Sequence, residues 1–151
     1  MTVDSRAKGA RAETDVRDKL RQLTGLQWER VPSSGALDPK HGLKGDVYLV
    51  GVNNAYCVEI KHYKDDHLTS SLLTAKNPQL IEWWKQTLRE SKQVDKYPLL
   101  IFKHDRSKLF CAFCDLPTGV YNNISVAIDE HFFTICLLDD FIEHERPKFI
   151  K

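Results

Sequence analysis

The segment from Asp46 to Tyr63 constrains the fold more than any other part of the chain. DVYLV (46–50) is a short apolar run, GVNN (51–54) is turn-forming, and AYCVEIKHY (55–63) is a second strand-like run. Two such runs about a tight turn predict an antiparallel hairpin. Folding back brings Asp46, at the start of the first strand, beside Glu59, Ile60 and Lys61 on the second. Glu59 and Lys61 are two residues apart and share one face of their strand, while Val58 and Ile60 take the other. From this spacing alone two readings are open. One is a cross-strand ion pair between Lys61 and an acid. The other is an oxygen-donor site for a hard divalent cation such as Mg²⁺, which is typically held by one or two carboxylates.

The flanking segments predict a mixed α/β architecture. Residues 5–23 read as a helix with Val16, Leu20 and Leu23 on one stripe, Asp4 or Ser5 at its start and Gly25 after its end. Glu13 lies three residues before Val16 and seven before Leu20, so it falls on the same inward stripe. A carboxylate there is costly to bury without a cationic partner, unless it sits at the rim and reaches water. LQWERV (26–31) reads as a strand and residues 32–45, rich in Gly, Pro and Ser, as a loop. Residues 64–76 read as a polar loop. Asn77 as cap and Pro78 at the first helical position open a helix running to about Val94, with Leu80, Trp83, Trp84 and Leu88 inward. YPLLIFK (97–103), KLFCAFC (108–114) and HFFTICL (131–137) read as strands, LDDFIEHE (138–145) as a terminal helix, and 115–130 is left unassigned. The resulting order is αβββαβββα, a mixed sheet flanked by helices.

The 151 residues suit one domain, with a core about residues 6–110 and a C-terminal extension, 111–151, packed on it. Ordinary hydrophobicity, 42%, and a net charge of +1 exclude a disordered chain. No apolar run approaches the ~18–20 residues of a membrane span, and MTVDSRAKGARAE has no apolar signal core. The expected location is therefore intracellular and cytoplasmic, in a bacterial, archaeal or virus-infected cell. In that setting Cys57, Cys111, Cys114 and Cys136 are expected as thiols rather than disulfides. Cys111 and Cys114 form a C-x-x-C, but three-residue spacing on a regular strand points the side chains to opposite faces, which favours core cysteines over a zinc site. Charge is uneven along the chain. Residues 61–110 carry ten basic against six acidic side chains, and 111–151 carry three against seven. A basic surface and an acidic tail are compatible with nucleic-acid binding and with an ordinary mixed surface.

Taken together and in order, these motifs resemble the PD-(D/E)XK nuclease superfamily, and more narrowly the archaeal-type Holliday junction resolvases and their phage relatives. The resemblance is carried by Lys8-Gly9 with Glu13, Arg30-Val31-Pro32-Ser33-Ser34-Gly35, Gly45-Asp46, Glu59-Ile60-Lys61 and Tyr97 to Lys103, over roughly residues 6–110. Gly45 stands where the superfamily motif has a proline. The resemblance implies a restriction-endonuclease-like αβββαβ core. It also implies a metal-dependent DNA endonuclease, most specifically a structure-specific Holliday junction resolvase acting as a homodimer on branched DNA. Asp46 and Glu59 would hold Mg²⁺, with Mn²⁺ able to substitute, helped by the carbonyl of Ile60. Lys61 would be the catalytic lysine and Glu13 would complete the acidic cluster. Ser34, or its neighbour Ser33, would contact the scissile phosphate from a loop. Arg30 and Lys8 would be DNA contacts, and Lys64 is a further candidate phosphate contact. Another nuclease on the same core, a non-catalytic DNA-binding protein, and a purely structural or interaction protein are the alternatives. Gln79 is a candidate for reaching the site. Trp83 and Trp84 read as core or dimer contacts before base-stacking groups, and His62 as structural.

Overall fold

The computed structural model describes residues 5–32 and 44–151. Helix α1 spans Ser5–Thr24, and strands β1, β2 and β3 span Trp28–Arg30, Val47–Leu49 and Tyr56–Tyr63. A four-residue helix α2 (Ser71–Thr74) precedes helix α3 (Gln79–Gln93). Strands β4 (Tyr97–His104), β5 (Phe110–Phe113), β6 (Ile124–Ile128) and β7 (His131–Leu137) follow. The last helical segment is α4 (Leu138–Asp140), continued by a π-helical turn, Phe141–Glu145. The seven strands make one mixed sheet in the order β1-β2-β3-β4-β5-β7-β6. Only β3 and β4 run parallel, and the crossover between them carries α3.

The two helices cover opposite faces. Ala12, Val16 and Leu20 of α1 pack with Val58 and Ile60 of β3 and Leu99 and Ile101 of β4. Leu80, Ile81, Trp83 and Trp84 of α3 pack with Leu100 and Phe102 of β4 and Phe133 and Ile135 of β7. Strand alternation therefore sends every second residue of β3 and β4 to a different helix. Trp83 and Trp84 are both buried, and Trp84 stacks on Phe133 at 4.5 Å, so the core reading of these residues holds.

The hairpin forms about its predicted turn because Asn54 pins it. The buried Asn54 accepts the Leu49 N–H at 2.7 Å through Oδ1 and donates to the Leu49 and Val52 carbonyls through Nδ2. The far C-terminus clamps the same turn, with the Ala55 N–H on the Phe149 carbonyl and the Lys151 N–H on that of Asn53, both at 2.8 Å. Residues 111–151 thus do more than cover the core: they contribute most of β5 and all of β6 and β7 to the sheet. Glu145, in the acidic tail, accepts bonds from Thr118 and Tyr121, tying the tail to the loop before β6.

Three expectations change. Helix α3 begins one residue later than predicted, with Pro78 in the cap position and no side-chain cap, so Asn77 does not cap it. The loop 64–76 contains α2, whose Leu73 is exposed and which buries none of its residues. The unassigned stretch 115–130 holds β6, an edge strand with a single buried residue, Val126. One inward side chain leaves no alternation to detect. Among the four cysteines, Cys111 lies buried with its Sγ 3.8 Å from that of Cys136, while Cys114 is exposed past the end of β5. None of the helices among the described residues is long and apolar enough to cross a membrane.

Candidate active site

Asp46 sits where the chain enters β2, and its position is fixed by two backbone bonds to β3. Its own N–H donates to the Val58 carbonyl at 2.7 Å, and the Ile60 N–H donates to its Oδ2 at 2.7 Å. Gly45 makes this approach possible. Its φ is +88°, and a Cβ there would lie 2.5 Å from the Val58 carbonyl oxygen. The residue that departs from the superfamily motif is thus one that only glycine satisfies in this chain. Proline is excluded as well, because its ring holds φ near −65°.

Across the hairpin Val47 pairs with Val58, which sets Asp46 beside Glu59. Glu59 is 3% exposed, on the α3 face of β3. Glu13 reaches Asp46 from α1, within hydrogen-bonding range. Glu13, Asp46 and Glu59 therefore converge on one end of the hairpin, with Asp46 in the middle.

The electrostatics record how few cations offset these acids. Burial pushes Asp46 up to about 7, opposed by the Ile60 N–H and reinforced by the charge of Glu13. Burial pushes Glu59 higher still, to about 11, with Glu90 and Asp46 adding to the rise and Lys61 opposing it. Carboxyls this perturbed, held together by backbone bonds, mark a place that favours a proton or a cation. The donors are all oxygen, which suits a hard divalent ion. Lys61 stands two residues along the same face, and its charge opposes the rise at Glu59.

Two residues of the site were missed in the sequence. Gln86 of α3 donates through Nε2 to Glu59 Oε2 at 3.4 Å. Glu90, one turn further on, lies within hydrogen-bonding range of Glu59, and its Oε2 is buried with no donor among the described residues. Gln86 lies three residues after buried Trp83 and Glu90 four after Gln86, the same inward-stripe signal that identified Glu13. Gln79, the glutamine singled out instead, is exposed at the first position of α3.

The remaining predicted positions divide. Arg30 pairs with Glu13, its Nη2 3.0 Å from Oε2, so its guanidinium already serves the acidic cluster. Ile60 spends its N–H on Asp46 and buries its side chain against α1. Lys64 is exposed just beyond β3. His62 bonds Asp105 at 3.0 Å, in line with a structural role. The Lys8 side chain, Ser33 and Ser34 lie outside the described residues.

The chain is similar to several known proteins. A family model described as "Phage putative PDDEXK endonuclease" matches residues 4–146. Protein D14 of Escherichia phage T5 is 51% identical over 115 residues, which cover 74% of this chain and 72% of that protein. Among solved structures, Archaeoglobus fulgidus Hjc, described as a Holliday junction resolvase from an archaeal hyperthermophile, is similar with a TM-score of 0.42 and 18% identity. That match covers 67% of this chain and 72% of Hjc.

Proposed function

The chain belongs to the phage PDDEXK endonuclease family, and from that premise we propose that it is a Mg²⁺-dependent DNA endonuclease that hydrolyses phosphodiester bonds at branched DNA, the four-way junction above all. The convergence of Asp46, Glu59 and Glu13 beside Lys61 carries the nuclease part of this reading. A binding module gains nothing from buried carboxylates facing a polyanion, whereas a phosphodiesterase needs them to hold a cation against it. The junction preference rests on the motif set of the sequence, from Lys8-Gly9 to Tyr97–Lys103.

In this reading Asp46 and Glu59 hold the metal, with the Ile60 carbonyl as a further oxygen and Glu13 as a direct or water-bridged ligand. Mg²⁺ held by these residues would lower the pKa of a water and neutralise charge on the phosphate, and Mn²⁺ would substitute for it. Lys61 orients the attacking water and stabilises negative charge as it develops. Gln86 keeps the Glu59 carboxylate turned to the site. Ser34 or Ser33 contacts the scissile phosphate, and Lys8, Lys64 and Arg30 contact the backbone, Arg30 with only the part of its charge that Glu13 leaves. Two symmetric nicks require two sites, which a two-fold homodimer supplies. The setting is the interior of an infected, bacterial or archaeal cell.

The test is Mg²⁺-dependent cleavage of a synthetic four-way junction beside a linear duplex of matched sequence, with Asp46→Asn as control. Paired nicks in the junction alone are expected. Equal cutting of both substrates would keep the nuclease and discard the junction preference, leaving another nuclease of the same superfamily as the second reading. No cutting by wild type with Mg²⁺ or Mn²⁺ would overturn the enzyme assignment.

A further inference from the structure

We infer that Tyr63 is a stacking platform for a nucleobase left unstacked at the branch point, next to the scissile phosphate, and so a determinant of preference for branched over continuous duplex DNA. This rests on the nuclease reading above, in which the phosphate lies at Glu59 and Lys61. Glu59, Lys61 and Tyr63 alternate along β3 and share its α3 face, so Tyr63 stands about 7 Å beyond the lysine along the strand.

The Tyr63 ring packs against two other rings and stays partly exposed. Its centroid is 4.9 Å from that of Trp83, with the planes inclined by 32°. His67 meets both rings edge-on, at 5.9 Å from Tyr63 and 4.9 Å from Trp83. Trp83 is buried beneath, yet Tyr63 remains 43% exposed. A ring fixed by two aromatic neighbours loses little freedom when a base stacks on its open side, so the contact carries a small ordering cost. The exposed Lys64 follows immediately and supplies a cation for the adjoining backbone. Beyond the strand Asp105 bonds His62 at 3.0 Å and Asp66 lies 3.8 Å from His104. In continuous duplex each base face is covered by its neighbours, and this platform has nothing to receive. At a branch point an unstacked base is available, and base–aromatic stacking contributes to binding without reading sequence.

Tyr97 provides a control. It too is exposed and packs on another ring, Tyr56 at 5.6 Å, but its position in β4 matches that of Leu99, on the α1 face. The experiment places 2-aminopurine in the nucleotide flanking the cleavage site of a four-way junction and measures fluorescence and affinity in chelator for wild type, Tyr63→Ala, Tyr63→Leu, Tyr63→Phe and Tyr97→Ala. Cleavage of junction and duplex with Mg²⁺ is measured in parallel. Stacking on Tyr63 predicts that Tyr63→Ala and Tyr63→Leu each weaken junction binding about tenfold. Both should also lose the fluorescence response and leave duplex binding unchanged. Tyr63→Leu keeps Trp83 covered, which separates lost stacking from lost folding. Tyr63→Phe and Tyr97→Ala should behave as wild type. If Tyr63→Leu binds and cuts the junction as wild type does, the inference fails while the nuclease reading stands. An equal loss on junction and duplex also overturns it. If wild type cuts no DNA, the nuclease reading itself fails.

Discussion

Helices α1 and α3 flank the same strand, and each sends an acid toward the same end of it, but the two acids meet different company. Glu13 of α1 finds a guanidinium, Arg30, at 3.0 Å. Glu90 of α3 finds another carboxyl, Glu59, and leaves one oxygen buried without a donor among the described residues. On the α1 face the charge is balanced within the protein. On the α3 face two carboxyls meet, and burial and each other's charge push Glu59 toward holding a proton, opposed by Lys61, with the amide of Gln86 bonded to it. Acids held together in this way favour a proton or a cation, and under the nuclease reading proposed above that cation is the metal.

The sharpest way to break this comparison is to remove the acid between the two faces. Asp46→Asn should reduce cleavage about 10³-fold, because a metal site supplies several kcal/mol of transition-state stabilisation and each 1.36 kcal/mol is tenfold. DNA affinity should hold or rise as a negative charge leaves. Cleavage by Asp46→Asn at the wild-type rate would remove the metal-site assignment. Lys61→Ala should slow cleavage about 10²-fold with Mg²⁺ affinity retained, as expected for a group that aids the nucleophile. Titration calorimetry beside single-turnover rates separates the two variants.

Gly45→Ala attacks the backbone instead. The added methyl must clear a carbonyl oxygen 2.5 Å away at a positive φ, so stability should fall by roughly 1–3 kcal/mol. Asp46 is displaced at the same time, and Mg²⁺ binding should suffer more than thermal unfolding does. Unchanged Mg²⁺ affinity would show that Asp46 does not depend on this close approach.

Stability without metal should also depend on pH, and the sign follows from the raised acids. Folding lifts Asp46 from 3.8 to about 7 and Glu59 from 4.5 to about 11. The folded state therefore holds protons that the unfolded chain has released, and stability falls as pH rises from about 4 through 7 and beyond. In chelator the Tm should be lower at pH 8 than at pH 5. Mg²⁺ should shrink that difference by binding the folded state, and Asp46→Asn should flatten the slope between pH 4 and 7. A profile indifferent to both Mg²⁺ and Asp46→Asn would place the unbalanced charge elsewhere.

These tests bear on residues that were unevenly legible in the sequence. The hairpin and its three polar residues were legible because period-2 alternation and a turn fix which side chains share a face. Glu13 was legible because an acid interrupts an apolar helical stripe. Gln86 and Glu90 obey the same rule, but the two tryptophans dominate the pattern of α3, and Gln79, the glutamine nearer its start, is left exposed there. Gly45 looked like a departure from a motif until its positive φ and the nearby Val58 carbonyl explained it. The pairing of Arg30 with Glu13 was not legible, since no local period relates residue 30 to residue 13. Strand β6 was hidden because an edge strand with one inward residue has almost no pattern.

The smallest expected effects come from the α3 pair, and their signs make them informative. Glu90→Gln removes a like charge from Glu59 and substitutes an amide able to donate, so Glu59 should ionise at lower pH. Gln86→Leu removes a donor that favours the ionised form, so Glu59 should ionise at higher pH. The acid limb of the cleavage profile should accordingly move down in the first variant and up in the second, with maximal rates changed only about severalfold. If the two residues merely packed α3 against the sheet, both substitutions would loosen the same contact and shift the profile in the same direction, or not at all. Opposite shifts require that each acts on the charge of Glu59, which is what sets the α3 face apart from the balanced one.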